Sequence, residues 1–230
     1  MAIGIIGAMD EEVELLKANM DVASEKEVAG SLFVDGLLHG KEVVLLKSGI
    51  GKVNAAMATT ILHEKYKIDA VINTGSAGGF AKDLEVGDVV ISSLVTHHDV
   101  DVTAFEYKYG QVPGMPDMYA ADENLVKQAM DAVEKTDAKA AKGIIATGDS
   151  FMQEEARVDF VRGKFPEMIA AEMEAAAIAQ VCYKYGTPFV VIRALSDIAG
   201  KKSSISFDQF LPKAAENAAV MIMEMVKNYE

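Results

Sequence analysis

"MIAAEMEAAAIAQV", residues 168–181, is the stretch that decides how the chain is read. Almost every position is apolar or alanine, as suits a segment packed inside a protein, yet Glu172 and Glu174 stand in its middle. Burying an ionised carboxylate without partners is costly, so such a group finds hydrogen bonds or shifts its pKa. A strand over 167–171 followed by a helix over 174–185 resolves the conflict. Both carboxylates then fall at the edge of a sheet, and the alanine-rich helix packs below them. Were the whole stretch helical, the two would lie ~200° apart on opposite faces. The spacing does not decide which carboxylate faces a ligand.

The strand-then-helix pattern recurs along the chain. Residues 3–6 (IGII), 42–46 (EVVLL), 70–74 (AVINT), 88–92 (DVVIS), 143–147 (GIIAT) and 189–195 (FVVIRAL) read as further strands. Several are continuously apolar, as expected of a sheet covered on both faces. Asp35-Gly36 and Gly40-Lys41 signal turns, so a hairpin or meander is expected over 32–46. Helical stripes run through Met9, Val13, Leu16 and Met20, and through Val53, Met57, Thr60 and Ile61 to an end near Lys67. Residues 122–134 form another candidate. A last helix carries Phe210, Leu211, Ala214, Ala215, Ala218, Met221, Ile222 and Met225 on one side, with Pro212 in its first turn. The expectation is an α/β fold: one domain over 1–230, with a mixed, mostly parallel sheet.

Composition narrows the function. Half of the 230 residues are hydrophobic and the net charge is −13. That balance argues against tracking phosphate backbones or anionic lipid, which requires basic patches. No run approaches a membrane span, and the apolar start lacks the basic flank of a signal peptide, so a soluble cytoplasmic protein is expected. Cys182 is the only cysteine, which leaves no internal disulfide and no thiolate metal cage.

In open α/β sheets ligands bind beyond the carboxyl ends of strands. Following the strands here are Gly7-Ala8-Met9-Asp10-Glu11-Glu12, Ser48-Gly49-Ile50-Gly51, Thr74-Gly75-Ser76-Ala77-Gly78-Gly79, Gly148-Asp149-Ser150-Phe151, Glu172-Met173-Glu174 and Ser196-Asp197. Glycines, hydroxyls and carboxylates therefore gather at one edge. Neither a P-loop nor a G-x-G-x-x-G fingerprint is present. The 74–79 run suits an anion cradle or a plain turn. His97 and His98 are adjacent, which disfavours convergence on one metal ion. The acids at 10–12 suit a helix N-terminus, although Glu12, unlike Glu11, borders the buried stripe. Arg193 interrupts an apolar strand and needs a carboxylate or carbonyl partner, as a structural ion pair or as part of a site. The apolar side chains in the weakly periodic segment 97–121 suit an interface.

The blocks IGIIGAMDEEVELL, LLKSGIGKVNAA, VINTGSAGGF, DVTAFEYKYGQVPG, GDSFM, AAEMEAAAIAQV and FVVIRALSDIA, in order between residues 3 and about 226, resemble the 5′-methylthioadenosine/S-adenosylhomocysteine nucleosidases of the nucleoside phosphorylase/hydrolase superfamily. The resemblance implies a sheet partly curled into a barrel, flanked by helices, in a homodimer. It implies hydrolysis of an N-glycosidic bond, releasing adenine from methylthioadenosine, S-adenosylhomocysteine and 5′-deoxyadenosine, without metal or organic cofactor. By the same resemblance Glu12 activates water, Glu174 binds the ribose hydroxyls and Asp197 protonates adenine, for which burial must raise its pKa. Phe151 stacks on the base and the Met152 backbone reads its edge. Ser76 and Arg193 order the water and Glu12, while Met9, Ile50, Met173 and Phe207 line the ribose and alkylthio pocket. Ala8, Ala77, Gly78 and Ser196 belong to the expected wall, with Glu172 structural or at its outer edge. Val102, Phe105 and Pro113 would close the pocket of the partner subunit. Rival readings on the same fold are a phosphorylase, a futalosine-type hydrolase and a non-enzymatic nucleoside-binding or storage protein. The arginines, Arg157, Arg162 and Arg193, do not follow the first or second strand, which favours water over phosphate.

Overall fold

The computed structural model describes residues 2–134, 139–201 and 203–229, with the side chains of 203–206 outside that description. In chain order, β1 (Ala2–Gly7) leads into α1 (Asp10–Ala18). Then β2 (Asp21–Val28), β3 (Ser31–Leu38) and β4 (Lys41–Lys47) form an antiparallel meander. Next come α2 (Lys52–Lys65), β5 (Ile68–Asn73), the short β6 (Ser76–Gly79) and β7 (Val89–His97). A 3₁₀ turn at Thr103–Phe105 and β8 (Tyr119–Ala120) punctuate the segment before α3 (Glu123–Val133). β9 (Ala140–Thr147), α4 (Glu155–Lys164), β10 (Met168–Glu172), α5 (Ala175–Tyr185), β11 (Phe189–Ile198) and α6 (Ser203–Lys227) complete the order.

β11 is the branch point. Its first residues, Phe189 to Val191, pair in parallel with β5, and through β5 with the outer strands β1, β4, β3 and β2. Its later residues pair in parallel with β6 and antiparallel with β7. Since β6 also pairs with β10, β10 with β9 and β9 with β7, these strands and β11 close into a five-stranded mixed barrel. Ile3, Ile5 and Ile6 of β1 and Val190, Val191 and Ile192 of β11 are all buried, as strands covered on both faces require. α6 packs on α1, α3 and β11, while α2 packs on α5. Among the described residues no helix is long and apolar enough to cross a membrane.

Several details depart from the sequence reading. Ser76–Gly79 is a strand rather than a loop, because β10 and β11 hold its backbone from both sides where its small residues give no propensity of their own. Ser196 and Asp197 do not follow β11 but lie within it, at a register shift between Leu195 and Asp197. The apolar stripe of α2 is turned outward. Ala55, Ala58, Thr59 and Leu62 form the buried side, while Val53 is 78% exposed. Small residues let α2 lie close on α5, with Leu62 buried at the end of that face and Val53 turned to the surface. α6 begins well before Pro212, which sits inside the helix. The bond that proline forfeits is offset by the buried Leu211, Ala214 and Ala215 around it. Phe210, placed on the buried side, is 43% exposed. β2 and α4 carry mostly charged or polar residues and gave no periodic signal.

Candidate active site

A cavity of about 370 Å³ opens beyond the ends of β1, β4, β9 and β10 and along β6 and β11. From after β1 come Ala8, Met9 and Glu12, and from after β4 comes Ile50. β6 gives Ser76, Ala77 and Gly78. The turn after β9 gives Ser150, Phe151 and Met152, and the end of β10 gives Ala171, Glu172, Met173 and Glu174. β11 contributes Arg193, Ser196 and Asp197, and α6 contributes Phe207 and Asp208. Residues that the sequence scattered over its whole length thus share one wall. Val102, Phe105 and Pro113 do not line this cavity, and Phe105 is 76% exposed.

At the centre lies Arg193, 1% exposed. Its Nη2 donates to Glu172 Oε2 at 2.5 Å, Asn73 Oδ1 at 2.9 Å and Glu174 Oε2 at 3.3 Å, and its Nη1 donates to the Ser76 carbonyl at 3.3 Å. Burial works against the charge, but Glu172, Glu174 and Glu12 outweigh it and keep the guanidinium ionised.

The two glutamates of the 168–181 stretch divide their work. Glu172 ends β10, and its Oε2 accepts the Glu174 and Ala175 backbone N–H groups at 2.9 and 2.7 Å. These donors open α5, so the carboxylate sits at the positive end of that helix. Thr147 Oγ donates to Glu172 Oε1 and accepts the Ala176 N–H at 2.8 Å, which extends the cap. Glu174, the N-cap residue of α5, instead accepts the Gly51 N–H through Oε1 at 2.9 Å.

Glu12 occupies the first turn of α1, and its carboxylate bends back toward the chain that enters the helix. Oε2 accepts the Ala8 and Met9 N–H groups at 2.8 and 3.2 Å. Oε1 accepts the Ser76 N–H at 2.9 Å and is 3.2 Å from the Ser76 hydroxyl. One of the amides in the 74–79 run is therefore committed to a carboxylate. Glu12 and Arg193 approach each other across Gly75 (φ +141°), where an added Cβ would land on both side chains. Asp197 is 2% exposed, and Ser196 Oγ donates to its Oδ1 at 3.0 Å. A Cβ on Gly78 would stand 3.2 Å from Asp197 Oδ2, so that glycine keeps the space beside the carboxylate open.

His97 and His98 are buried, and burial holds both imidazoles below their ordinary pKa. His97 Nε2 is 3.2 Å from Gln180 Oε1, and its ring meets Tyr119 edge-on. Among the described residues, no three His, Cys, Asp or Glu side chains are grouped to hold a metal ion.

The phosphorylase superfamily matches the chain over residues 2–227. The curated 5′-methylthioadenosine/S-adenosylhomocysteine nucleosidase of Oceanobacillus iheyensis is 63% identical over 227 residues, which span 99% of each chain. This chain belongs to that nucleosidase family. Among solved members, the Neisseria meningitidis nucleosidase in complex with methylthio-immucillin-A shares 49% identity with this one at a TM-score of 0.96, over 98% of both chains. The Colwellia psychrerythraea nucleosidase in complex with adenine has the same identity and TM-score, over 98% of this chain and 94% of its own.

Some parts of the nucleosidase site escaped the sequence reading. Ala171 and Asp208 line the cavity, and Asn73 and Thr147 hold its buried charges. Asn73 was detectable in principle, since an asparagine ending an apolar strand needs buried partners; its Nδ2 donates to the Ile6 carbonyl at 2.8 Å.

Burial pushes the Glu174 carboxyl up to about 7 from an ordinary 4.5; Glu172 and Glu12 add to the rise, while Arg193 and the Gly51 N–H oppose it. Below the unfolded value this carboxyl is protonated in both states. As pH rises toward 7 only the unfolded chain releases the proton, so ionisable Glu174 progressively subtracts stability. Glu174→Gln stays neutral throughout. Its Tm relative to the native protein is expected to rise between about pH 5 and about pH 8. A difference that stays flat over that range would contradict the raised pKa.

Proposed function

We propose that this nucleosidase cleaves the N-glycosidic bond of 5′-methylthioadenosine and S-adenosylhomocysteine with water, in the cytoplasm, and accepts 5′-deoxyadenosine as well. Adenine leaves, and the sugar carries away a hydroxyl at its reactive carbon. The observation that carries the choice of water is electrostatic. Arg193 is the only basic side chain among the described residues of the cavity wall, and its guanidinium is engaged by Glu172, Glu174 and Asn73. A phosphate dianion calls for free, paired donors. It would instead meet Glu12.

The chemistry divides among three carboxylates. As the bond to adenine breaks, its electron pair moves onto the base, and Asp197 donates a proton to the imidazole nitrogen of that base. The sugar gains oxocarbenium character, and Glu174, binding the ribose hydroxyls, places a polar group beside the developing charge. Water attacks the sugar carbon and gives its proton to Glu12, which Ser76 and the Ala8 and Met9 amides hold in place. Phe151, whose ring meets that of Phe207 edge-on at 5.8 Å, stacks on the base, and the Met152 backbone reads the base edge. Met9, Ile50, Met173 and Phe207 surround the ribose and alkylthio group. These are dry, apolar contacts suited to a thioether.

In the same reading two copies complete each other's sites. Ile50, at the cavity, is 51% exposed, and Val53 and Phe105 project from the surface nearly bare. Exposed apolar groups of this kind mark interfaces. A two-fold pair would bring Val102, Phe105 and Pro113 of one copy over the pocket of the other. Light scattering is expected to give twice the mass of one chain. A fully active monomer at micromolar concentration would remove those assignments.

Asp197→Asn keeps size and polarity but has no carboxyl proton to donate, so kcat should fall by at least ~10²-fold in a folded protein. Glu172→Gln should cost less in kcat than Glu174→Gln, because Glu172 is committed to α5. Near-normal turnover in Asp197→Asn would exclude Asp197 as the acid.

The deciding measurement separates water from phosphate. In phosphate-free buffer, methylthioadenosine should yield adenine at a rate that added phosphate does not raise. In ¹⁸O-enriched water the methylthioribose product should gain one heavy oxygen. A requirement for phosphate, with a sugar 1-phosphate as product, would make the chain a phosphorylase on the same fold.

A further inference from the structure

Close in the chain to the cavity residues Ile50 and Ser150, Lys52 and Asp149 complete a ring of hydrogen bonds with Asp99. Lys52 Nζ reaches Asp99 Oδ1 at 2.5 Å, Asp99 Oδ2 accepts the Asp149 N–H at 2.9 Å, and Asp149 Oδ1 accepts the Lys52 N–H at 2.8 Å. The ring joins the first turn of α2, the segment after β7 and the turn after β9. Two of its side chains are partly shielded, Lys52 at 20% and Asp99 at 24% exposed, while Asp149 is exposed. Burial alone would raise the Asp99 pKa, but Lys52 and the Asp149 N–H together hold it below the ordinary carboxylate range.

What the ring joins gives it significance. Gly51, one residue before Lys52, holds Glu174 through its N–H. A Cβ on Gly51 (φ +95°) would stand 3.1 Å from Asp149 Oδ1, so the contact is close on both sides. Phe151, two residues after Asp149, is 42% exposed. The turn that carries it makes short-range backbone bonds, Ser150 N–H to the Gly148 carbonyl and Gln153 N–H to the Phe151 carbonyl. Such bonds shape a turn without placing it. Before Phe151 the turn is placed by the Gly148 N–H to the Glu172 carbonyl at 3.1 Å, by Arg157 on Ser150 Oγ at 2.6 Å and by Asp99; after it, by the Gly200 N–H to the Met152 carbonyl at 3.3 Å and the buried Met152 side chain.

We propose that Asp99 is a positioning residue for nucleoside binding: with Lys52 and Asp149 it fixes the base-stacking turn to the same helix end that holds Glu174. The two halves of the nucleoside, base and sugar, thereby meet walls set at a constant separation. The inference rests on the roles given above to Phe151 and Glu174.

Stacking acts on the base before and during bond cleavage, so its loosening removes binding common to both stages. Asp99→Asn can accept through one oxygen only, and Lys52→Met keeps the backbone N–H but loses the ammonium. Each is expected to raise KM for methylthioadenosine, and the Kd for adenine measured by calorimetry, about tenfold, with kcat within about threefold. The double variant should be no worse than the poorer single one, because both break the same ring. Lys52→Arg should restore most of the affinity. A merely structural role would lower Tm or kcat while leaving KM and the adenine Kd unchanged, and that result would overturn the proposal. Phe151→Ala separates the two levels. If it leaves adenine binding intact, the base-site reading fails; if it weakens binding while Asp99→Asn does not, only the present inference fails.

Discussion

A guanidinium with 1% of its surface exposed constrains everything around it. Arg193 lies in β11 at the point where β7 and β6 both pair with that strand, so the charge stands inside the barrel wall rather than at a flexible edge. Desolvating it is tolerable because carboxylates arrive from elsewhere in the chain: Glu172 and Glu174 with β10 and α5, and Glu12 across Gly75. Each of these carboxylates is held in turn by backbone amides. Glu172 takes those of α5, Glu174 that of Gly51, and Glu12 those of Ala8, Met9 and Ser76. Burial first, and the neighbouring Glu172 and Glu12 charges second, raise the Glu174 pKa against the pull of Arg193.

That network explains why small residues crowd the site. A side chain at Gly75 would displace the Glu12–Arg193 approach, and one at Gly78 would press on Asp197. β6 is therefore a strand of Ser, Ala and Gly whose backbone closes the barrel while leaving volume for a ligand. The register shift before Asp197 serves the same end. A bulge re-aims a side chain by interrupting the ladder locally, and here Asp197 lines the cavity from a buried strand.

The rim is built differently from the floor. The floor is buried and fixed by ion pairs, whereas Phe151, Phe207 and Ile50 hold partly exposed positions on turns and a helix start. These positions lie beyond the strand ladders, and the Lys52–Asp99 pair with the Asp149 N–H links the segments beside them where backbone pairing ends.

By itself the sequence determined the order of most strands and helices, because continuous apolar runs and 3.6-residue stripes report burial directly. It also determined the edge at which the chemistry gathers, since Glu12, Glu174 and Asp197 each stand where an apolar element ends or is interrupted. The family blocks added roles to those positions. Only the tertiary structure decided that Ser76–Gly79 is a strand, that Glu172 caps α5 while Glu174 reaches Gly51, and that α2 buries Ala55, Ala58, Thr59 and Leu62 while Val53 faces outward. β2 and α4 likewise stayed hidden, because their mostly polar residues leave no periodic trace. The reason is common to these cases. Local pattern encodes how much of a residue is buried, but which partner a polar group meets there depends on strands and helices brought together from distant parts of the chain.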